Sequence, residues 1–196
     1  MVRRTLRFNI YLLLLVTLAV LTGCQSPETK REKQLATLRV YLEVNPYPPG
    51  SSQEIFVLRA APMKLNVEKG PFLNEIHVAS AKVTETPGGF MLTVRFNQKG
   101  QWLLEQYTAA QPNRRMAIRC QWGVPPNVQD RWVAAPLITQ RIKDGVLSFT
   151  PDTSRDEADQ IAIGLNNYAG DSLIKEESDE PKADKPKPAK KTEDSK

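Results

Sequence analysis

The sequence predicts an α+β fold in which two helices pack on one mainly antiparallel sheet within a single domain. Three observations lead to this class. Several short segments alternate apolar and polar residues with a period of two, which indicates half-buried strands. Two other segments place apolar residues at helical spacing behind residues that favour helix N-termini. Short turns separate most strands, as expected where consecutive strands pair antiparallel.

The strand pattern is clearest in "MAIRCQW", where Met116, Ile118, Cys120 and Trp122 alternate with polar or small residues. Pro-Gly-Gly at residues 87–89 is a strong turn signal between two such segments. The predicted strands are residues 38–44, 54–60, 63–69, 79–85, 90–97, 114–122, 131–138 and 146–150.

Two helices complete the predicted domain. Asn97 is a suitable N-cap for residues 98–110, which carry apolar side chains at helical spacing. Ser154 and Glu157 stand in capping-box positions before a second apolar stripe, and we expect that helix to end near Gly170.

The N-terminus has the features of a bacterial lipoprotein signal. Three arginines precede an apolar run at residues 10–21, which would span roughly 18 Å as a helix. That length is too short for a hydrocarbon core of roughly 30 Å, so a signal peptide over residues 1–23 is favoured. Residues 21–24, "LTGC", resemble the lipobox, whose cysteine carries the lipid. Cys24 is the predicted lipidation site; the alternative is a plain signal with a coincidental cysteine.

Lipidation of Cys24 predicts an envelope protein attached to the membrane through its N-terminal lipid. Gln25 follows the cysteine where an aspartate signals inner-membrane retention in some bacteria, so an outer-membrane location is favoured. Without the signal, 24 basic and 22 acidic residues remain. This nearly balanced charge argues against nucleic-acid binding, which favours clustered basic faces.

Composition divides the mature chain into a tether at residues 24–36, a domain at residues 37–170 and a charged tail at residues 171–196. The tail has almost no apolar side chains and is predicted to be disordered. Its "KPKPAKK" could contact an anionic surface, or the tail could be a solvated segment without specific affinity. Cys120 has no partner for an intramolecular disulfide if Cys24 is acylated, and its alternating pattern predicts a buried structural thiol.

Residues 71–167 resemble the head subdomain of the first periplasmic region of SecD, the membrane-embedded accessory of the Sec protein-export machinery. The similarity lies in the order and spacing of short motifs, carried here by Ala81, Phe96, Gly100, Thr108, Ala135, Pro136, Leu137, Ile138, Gly145, Glu157 and Ala158.

The resemblance implies a non-enzymatic periplasmic module that contacts an envelope protein or a translocating polypeptide. It carries over no catalytic residue, and the proton-coupling transmembrane helices of SecD have no counterpart here. Residues 37–70 depart from the head pattern, and they either extend the sheet or replace the base subdomain that supports the SecD head.

The residues themselves offer no clear catalytic or metal site. His77 is the sole histidine of the chain and lacks zinc-ligand spacing or a serine-elbow sequence nearby. The acidic cluster of Asp152, Asp156, Glu157 and Asp159 lies where negative charge favours a helix N-terminus, without the EF-hand pattern. We therefore predict no cofactor, no metal and no catalytic residue; an envelope hydrolase with an unrecognised site is the alternative.

The predicted partner-binding site is the turn-rich loop "GVPPNVQD", residues 123–130, between Trp122 and Trp132. Tryptophan is enriched at binding hot spots, and the loop could present a groove or a strand edge. Asn127 and Gln129 are the residues where we expect a partner to be captured. The alternative for these two tryptophans, and for Trp102, is packing in the core or at a sheet edge.

Overall fold

Eight β-strands and two α-helices make up the described part of the chain. The computed structural model describes residues 34–47 and 50–179. The elements are β1 (Leu35–Leu42), β2 (Ser52–Val57), β3 (Met63–Glu68), a 3₁₀ helix (Glu75–His77), β4 (Val78–Thr86), β5 (Gly89–Phe96), α1 (Gln98–Ala110), β6 (Met116–Val124), β7 (Asn127–Ala134), β8 (Val146–Phe149) and α2 (Arg155–Asp179).

All strand pairings are antiparallel, which confirms the α+β class. The strands nevertheless form three sheets, ordered β1-β6-β7, β2-β3 and β4-β5-β8, and not the single sheet expected. The isolated bridge Glu43–Val67 joins the chain after β1 to β3, and Val40–Leu73 joins β1 to the segment before the 3₁₀ helix. The difference arises because β1 pairs with β6, far along the chain, and not with β2.

The β1-β6-β7 sheet lies at the centre and buries side chains on both faces. Its inner face contributes Leu38, Val40, Ile118, Cys120 and Trp122 to the main core, which α2 and the β4-β5-β8 sheet complete. The outer face is covered at one end by the β2-β3 hairpin. Tyr41, Ile55, Val57, Leu65, Val67, Ala117 and Ala135 form the smaller core at that end.

Helix α1 begins at the predicted N-cap. The Asn97 side chain accepts a hydrogen bond from the Gly100 N–H at 2.9 Å. Near its end, the buried Thr108 hydroxyl donates to the Leu104 carbonyl at 2.7 Å and accepts from the Ile142 N–H at 3.0 Å. Thr108 therefore joins the helix to the segment that leads into β8.

Helix α2 begins with the predicted capping box. The Glu157 carboxylate accepts from the Ser154 N–H at 2.8 Å, and the Ser154 hydroxyl accepts from the Glu157 N–H at 3.2 Å. The expected end near Gly170 is wrong, because the helix continues to Asp179. Residues 171–179 contain no proline to interrupt it, and the nearest one follows at Pro181. The first nine residues of the predicted disordered tail are thus helical.

The domain begins earlier than predicted, because residues 35 and 36 belong to β1 and not to a tether. A Cβ on Gly164 of α2 would lie 2.6 Å from the Ala36 backbone nitrogen, so the glycine allows close contact between helix and strand. The Asn167 side chain also donates to the Gln34 carbonyl at 2.8 Å. The predicted signal peptide, Cys24, Gln25 and the tail beyond residue 179 lie outside the described residues.

Candidate partner-binding surface

Residues 123–130 form the end of a β-hairpin, so the loop is shorter than the eight residues expected from the sequence. Strand pairing continues as far as Val124 and Asn127, with Pro125 and Pro126 as the turn. Gly123 has φ +117°, and a Cβ there would lie 2.3 Å from the Asn127 carbonyl oxygen. A glycine at this position lets the two strands remain paired up to the turn.

Trp122 is 1% exposed and does not line an open groove, which corrects its place in the predicted binding loop. The guanidinium of Arg131 lies 4.9 Å from its ring centroid, and the same guanidinium pairs with Glu157 at 2.5 Å. Alternation along β6 places this ring on the inner face of the sheet. Trp122 therefore packs β7 and α2 against the core.

Trp132 is partly buried against the smaller core. Its ring contacts Tyr41 edge-on with a centroid distance of 5.0 Å, and the Arg119 guanidinium lies 5.8 Å from it. Trp102, by contrast, is 60% exposed on α1. Only Trp132 of the two flanking tryptophans therefore reaches the outer face of the hairpin.

Asn127 and Gln129 are exposed at the start of β7. This strand is last in its sheet, so its outer edge is not paired with another strand. Towards the end of β7, the Asp152 N–H donates to the Val133 carbonyl at 2.6 Å and occupies part of the edge. The first half of β7, in which all four residues up to Asp130 are exposed, remains accessible.

The outer face beside this edge begins with an apolar row. Leu35, Gly123 and Val128 lie opposite one another on β1, β6 and β7. Leu35 is 51% and Val128 is 40% exposed, and the glycine between them leaves a gap. Sequence reasoning missed Leu35 by assigning it to the tether, because only the small Ala36 continues the apolar alternation of Leu38 and Val40.

A polar and ionic row follows on the same face. Arg119 donates two hydrogen bonds to Asp130, each at 2.7 Å. This contact raises the pKa of the Arg119 guanidinium, which remains a cation. Thr37 and Gln121 share the row with Asp130. We call the surface formed by Leu35, Gly123, Val128, Asp130 and the exposed first half of β7 the hairpin surface.

His77 is a packing residue in the 3₁₀ helix. It is 7% exposed, and its Nδ1 accepts a hydrogen bond from the Asn74 N–H at 3.3 Å. Burial, aided by the positive charge of Lys99, lowers the pKa of its imidazole. A Cβ on Gly100 would lie 2.8 Å from the His77 Cβ, so the histidine fits against the first turn of α1.

Three members of the acidic cluster around the start of α2, Asp152, Glu157 and Asp159, are engaged in helix capping or ion pairs. Glu157 closes the capping box, Asp159 pairs with Arg155 at 3.0 Å, and Asp152 pairs with Arg59. Burial acts to raise the pKa of Asp152, but hydrogen bonds from Arg59 outweigh it and hold that pKa low. Within residues 34–47 and 50–179, no group of three or more histidine, cysteine or acidic residues is arranged to hold a metal ion.

Cys120 is a fully buried free thiol, as the alternating pattern predicted. Burial raises the pKa of this thiol to about 12, so it stays protonated at physiological pH. A neutral, inaccessible thiol is a poor nucleophile. The cysteine therefore has a structural role.

Several residues that carry the resemblance to SecD serve the packing of the fold. Ala81 forms two hydrogen bonds with Asn166, and Gly100 lies against His77 and Phe96. A Cβ on Gly145 would lie 2.8 Å from the Gln101 Cβ. These contacts specify an architecture and contain no catalytic arrangement.

The antiparallel sheets, the two helices and the structural use of the motif residues define a small α+β module with one accessible strand edge. The sequence matches the family "SecDF, P1 head subdomain" over residues 53–169, which is more than half of the chain. The chain belongs to that family. Its match starts at residue 53, so β3 and all of β2 except Ser52 lie within the head pattern, although the sequence had suggested a departure up to residue 70.

Solved structures of SecDF have the same fold. One, described as a membrane component that enhances protein export, is 18% identical, with a TM-score of 0.50 and coverage of 75% of this chain and 71% of that chain. A crystal structure of SecDF in its Super-membrane-facing form is also 18% identical, with a TM-score of 0.51. That alignment covers 74% of this chain and 21% of the other, so this chain corresponds to a small part of that SecDF.

No curated protein is significantly similar to this chain. In the described part of the molecule, no helix combines the length and apolarity needed to cross a membrane.

Proposed function

We propose that this protein is a lipid-anchored, non-enzymatic module of the cell envelope that binds an extended polypeptide through the hairpin surface, in a role linked to protein export. The observation that carries the proposal is the accessible first half of β7 at the edge of a sheet in a SecDF head domain. An unpaired strand edge presents backbone donors and acceptors that an incoming strand can satisfy.

The side chains beside this edge suit a polypeptide partner. An added strand would run beside β7, with alternate side chains directed over the outer face. One such side chain would lie beside Val128, and another, two residues along, would lie beside Asp130, which is paired with Arg119 of β6. Backbone pairing gives affinity for polypeptides of many sequences, and these two rows add a modest preference for particular side chains in the bound strand.

Attachment through Cys24 would place the domain in the periplasm, beside the membrane that receives the lipid. The lipobox supports this anchor, and Gln25 supports the outer membrane as the destination. The partner would then be an envelope protein or a translocating polypeptide. No observation favours the alternative of a hydrolase, because His77 and Cys120 serve packing and Asp152, Glu157 and Asp159 are in ion pairs.

Site-specific photocrosslinking in intact envelopes tests the proposal. A photoreactive residue at Asn127 or Gln129 should capture an envelope protein or a translocating polypeptide. The same residue at Gln106, exposed on α1, is the matched control and should give no such product. Val128→Lys should abolish capture from Gln129, because lysine on an edge strand opposes pairing and removes the apolar contact.

Two results would contradict the proposed site. Equal yields of crosslinked product from probes at Gln129 and Gln106 would show that capture results from random collision. An unchanged yield in a folded Val128→Lys variant would place the partner on another surface. Circular dichroism spectra of each variant establish that the domain is folded.

A further inference from the structure

The outer face of the β4-β5-β8 sheet contains two cationic side chains, Lys82 and Arg95, that have no acidic partner among the described residues. Ser80, Arg95 and Val146 form one row across the three strands, and Lys82, Thr93 and Ser148 form the next. A concavity of about 370 Å³ opens on this face. Its lining residues are Ser80, Ala81, Lys82, Thr93, Arg95, Val146 and Asn166.

Lys82 and Arg95 differ from the other basic residues on the strands. Among the described strands, those others each pair with an acid: Arg39 with Glu75, Lys64 with Glu54, Arg119 with Asp130 and Arg131 with Glu157. No ion pair of Lys82 or Arg95 occurs within the described residues. Their positions are diagonal across β4 and β5, a separation of roughly 7–8 Å.

Two cations at diagonally neighbouring positions of one sheet face repel each other, and an anion between them would relieve the repulsion. Guanidinium binds phosphate in a bidentate manner, whereas ammonium acts as a point charge beside it. The hydroxyl of Ser80 is exposed on the same face and can donate to a further oxygen, whereas the hydroxyls of Thr93 and Ser148 share a hydrogen bond at 3.0 Å. The chemistry of this face, which we call the cationic face, is that of a phosphate-binding surface.

Two consecutive asparagines place the cationic face beside the start of the domain. Asn166 lines the concavity and bonds to Ala81, while Asn167 bonds to the Gln34 carbonyl at 2.8 Å. Cys24 precedes Gln34 by ten residues. Even a fully extended segment of that length reaches only about 36 Å, so a lipid on Cys24 would hold this side of the domain near the bilayer.

We propose that the cationic face docks on anionic phospholipid headgroups of the membrane that carries the anchor. This inference rests on the lipid anchor of the proposed function but not on the hairpin surface. Basic residues close to an anionic bilayer are attracted to it, and the attraction falls off within a Debye length of roughly 10 Å at 0.1 M salt. Docking would orient the tethered domain and leave its other faces for a partner.

The test uses the full lipidated chain in vesicles of phosphatidylcholine alone or mixed with phosphatidylglycerol. A fluorophore on Thr84→Cys reports contact, because Thr84 is exposed on the same face as Lys82. Cys120 is buried and its thiol protonated, so the label goes to the new cysteine. Quenching by a lipid-headgroup quencher measures the ratio of docked to undocked protein.

Phosphatidylglycerol should increase quenching, and added salt should reverse the increase. Lys82→Gln/Arg95→Gln should lower the docked-to-undocked ratio roughly 30-fold, the combined effect of two cations at a membrane surface. Lys69→Gln/Lys99→Gln removes the same charge from two other exposed positions and should leave the ratio nearly unchanged.

Two outcomes would overturn the docking inference. One is quenching that does not respond to phosphatidylglycerol, and the other is an equal decrease of the docked-to-undocked ratio in the two double variants. Fatty-acid analysis of the same preparation separates this failure from that of the anchor. Protein without fatty acid on Cys24 would remove the premise, whereas lipidated protein without docking would refute the inference alone.

Discussion

The side-chain amide of Asn166 forms two hydrogen bonds with the backbone of Ala81, one in each direction. The Ala81 N–H donates to Oδ1 at 2.8 Å, and Nδ2 donates to the Ala81 carbonyl at 2.9 Å. Ala81 lies on β4, an edge strand, so the amide occupies positions where another strand would pair. This helix residue closes part of the β4 edge, while the first half of β7 has no comparable cover among the described residues.

We expect Asn166→Leu to destabilise the domain by about 1–3 kcal/mol, because it leaves two backbone groups of Ala81 without partners. Urea denaturation measures the change in the free energy of unfolding. Gln160→Leu, at an exposed position of the same helix, should change it by less than about 0.5 kcal/mol. Equal effects of the two substitutions would contradict a specific role for the amide.

Gly164→Ala should destabilise the domain by about 1–3 kcal/mol, although alanine favours a helix. The new Cβ would lie 2.6 Å from the Ala36 nitrogen and 2.7 Å from the Ala36 Cβ, so α2 must move away from β1. Gly170→Ala is the matched control, since nothing lies within 4 Å of its added Cβ. The free energy of unfolding of Gly170→Ala should rise by up to about 1 kcal/mol. The melting temperatures of the two variants should therefore shift in opposite directions from that of the wild type.

The buried thiol of Cys120 should make stability fall at alkaline pH. Burial raises its pKa from 9.0 to about 12, so between these values the unfolded chain has released the proton that the folded protein keeps. The thiol's contribution is complete below pH 9.0 and is lost as pH rises towards 12, by up to about 1.4 kcal/mol per pH unit. The difference in unfolding free energy between the wild type and Cys120→Ala, followed across this range, isolates the effect; a constant difference would contradict it.

Cys24→Ala should release the protein from membranes and abolish incorporation of labelled fatty acid. The reason is that this thiol is the predicted acyl acceptor, and the acyl chains supply the affinity for the bilayer. Cys120→Ala should retain the fatty acid, because the Cys120 thiol is buried in the folded domain. Continued labelling of the Cys24→Ala variant would show that the lipobox interpretation is wrong.

Much of the local structure could be predicted because the signals for it lie within a few residues of one another. The alternation from Met116 to Trp122 identified a strand and its buried face. Asn97 and the pair Ser154 and Glu157 identified two helix starts, since an N-cap bonds to a backbone only two or three residues away. The end of α2 was missed because Gly170 does not terminate the helix, and a single glycine inside a helix costs only about 1 kcal/mol.

The sequence by itself determined the α+β class, most strands, the buried thiol and the absence of an evident catalytic pattern. Only the tertiary structure decided that β1 pairs with β6, that Trp122 is enclosed while residues 127–130 stay accessible, and that Asn166 and Asn167 bond to Ala81 and Gln34. Those relationships join residues far apart in the chain. Their geometry depends on which apolar faces pack together, and local periodicity specifies a face without specifying its partner.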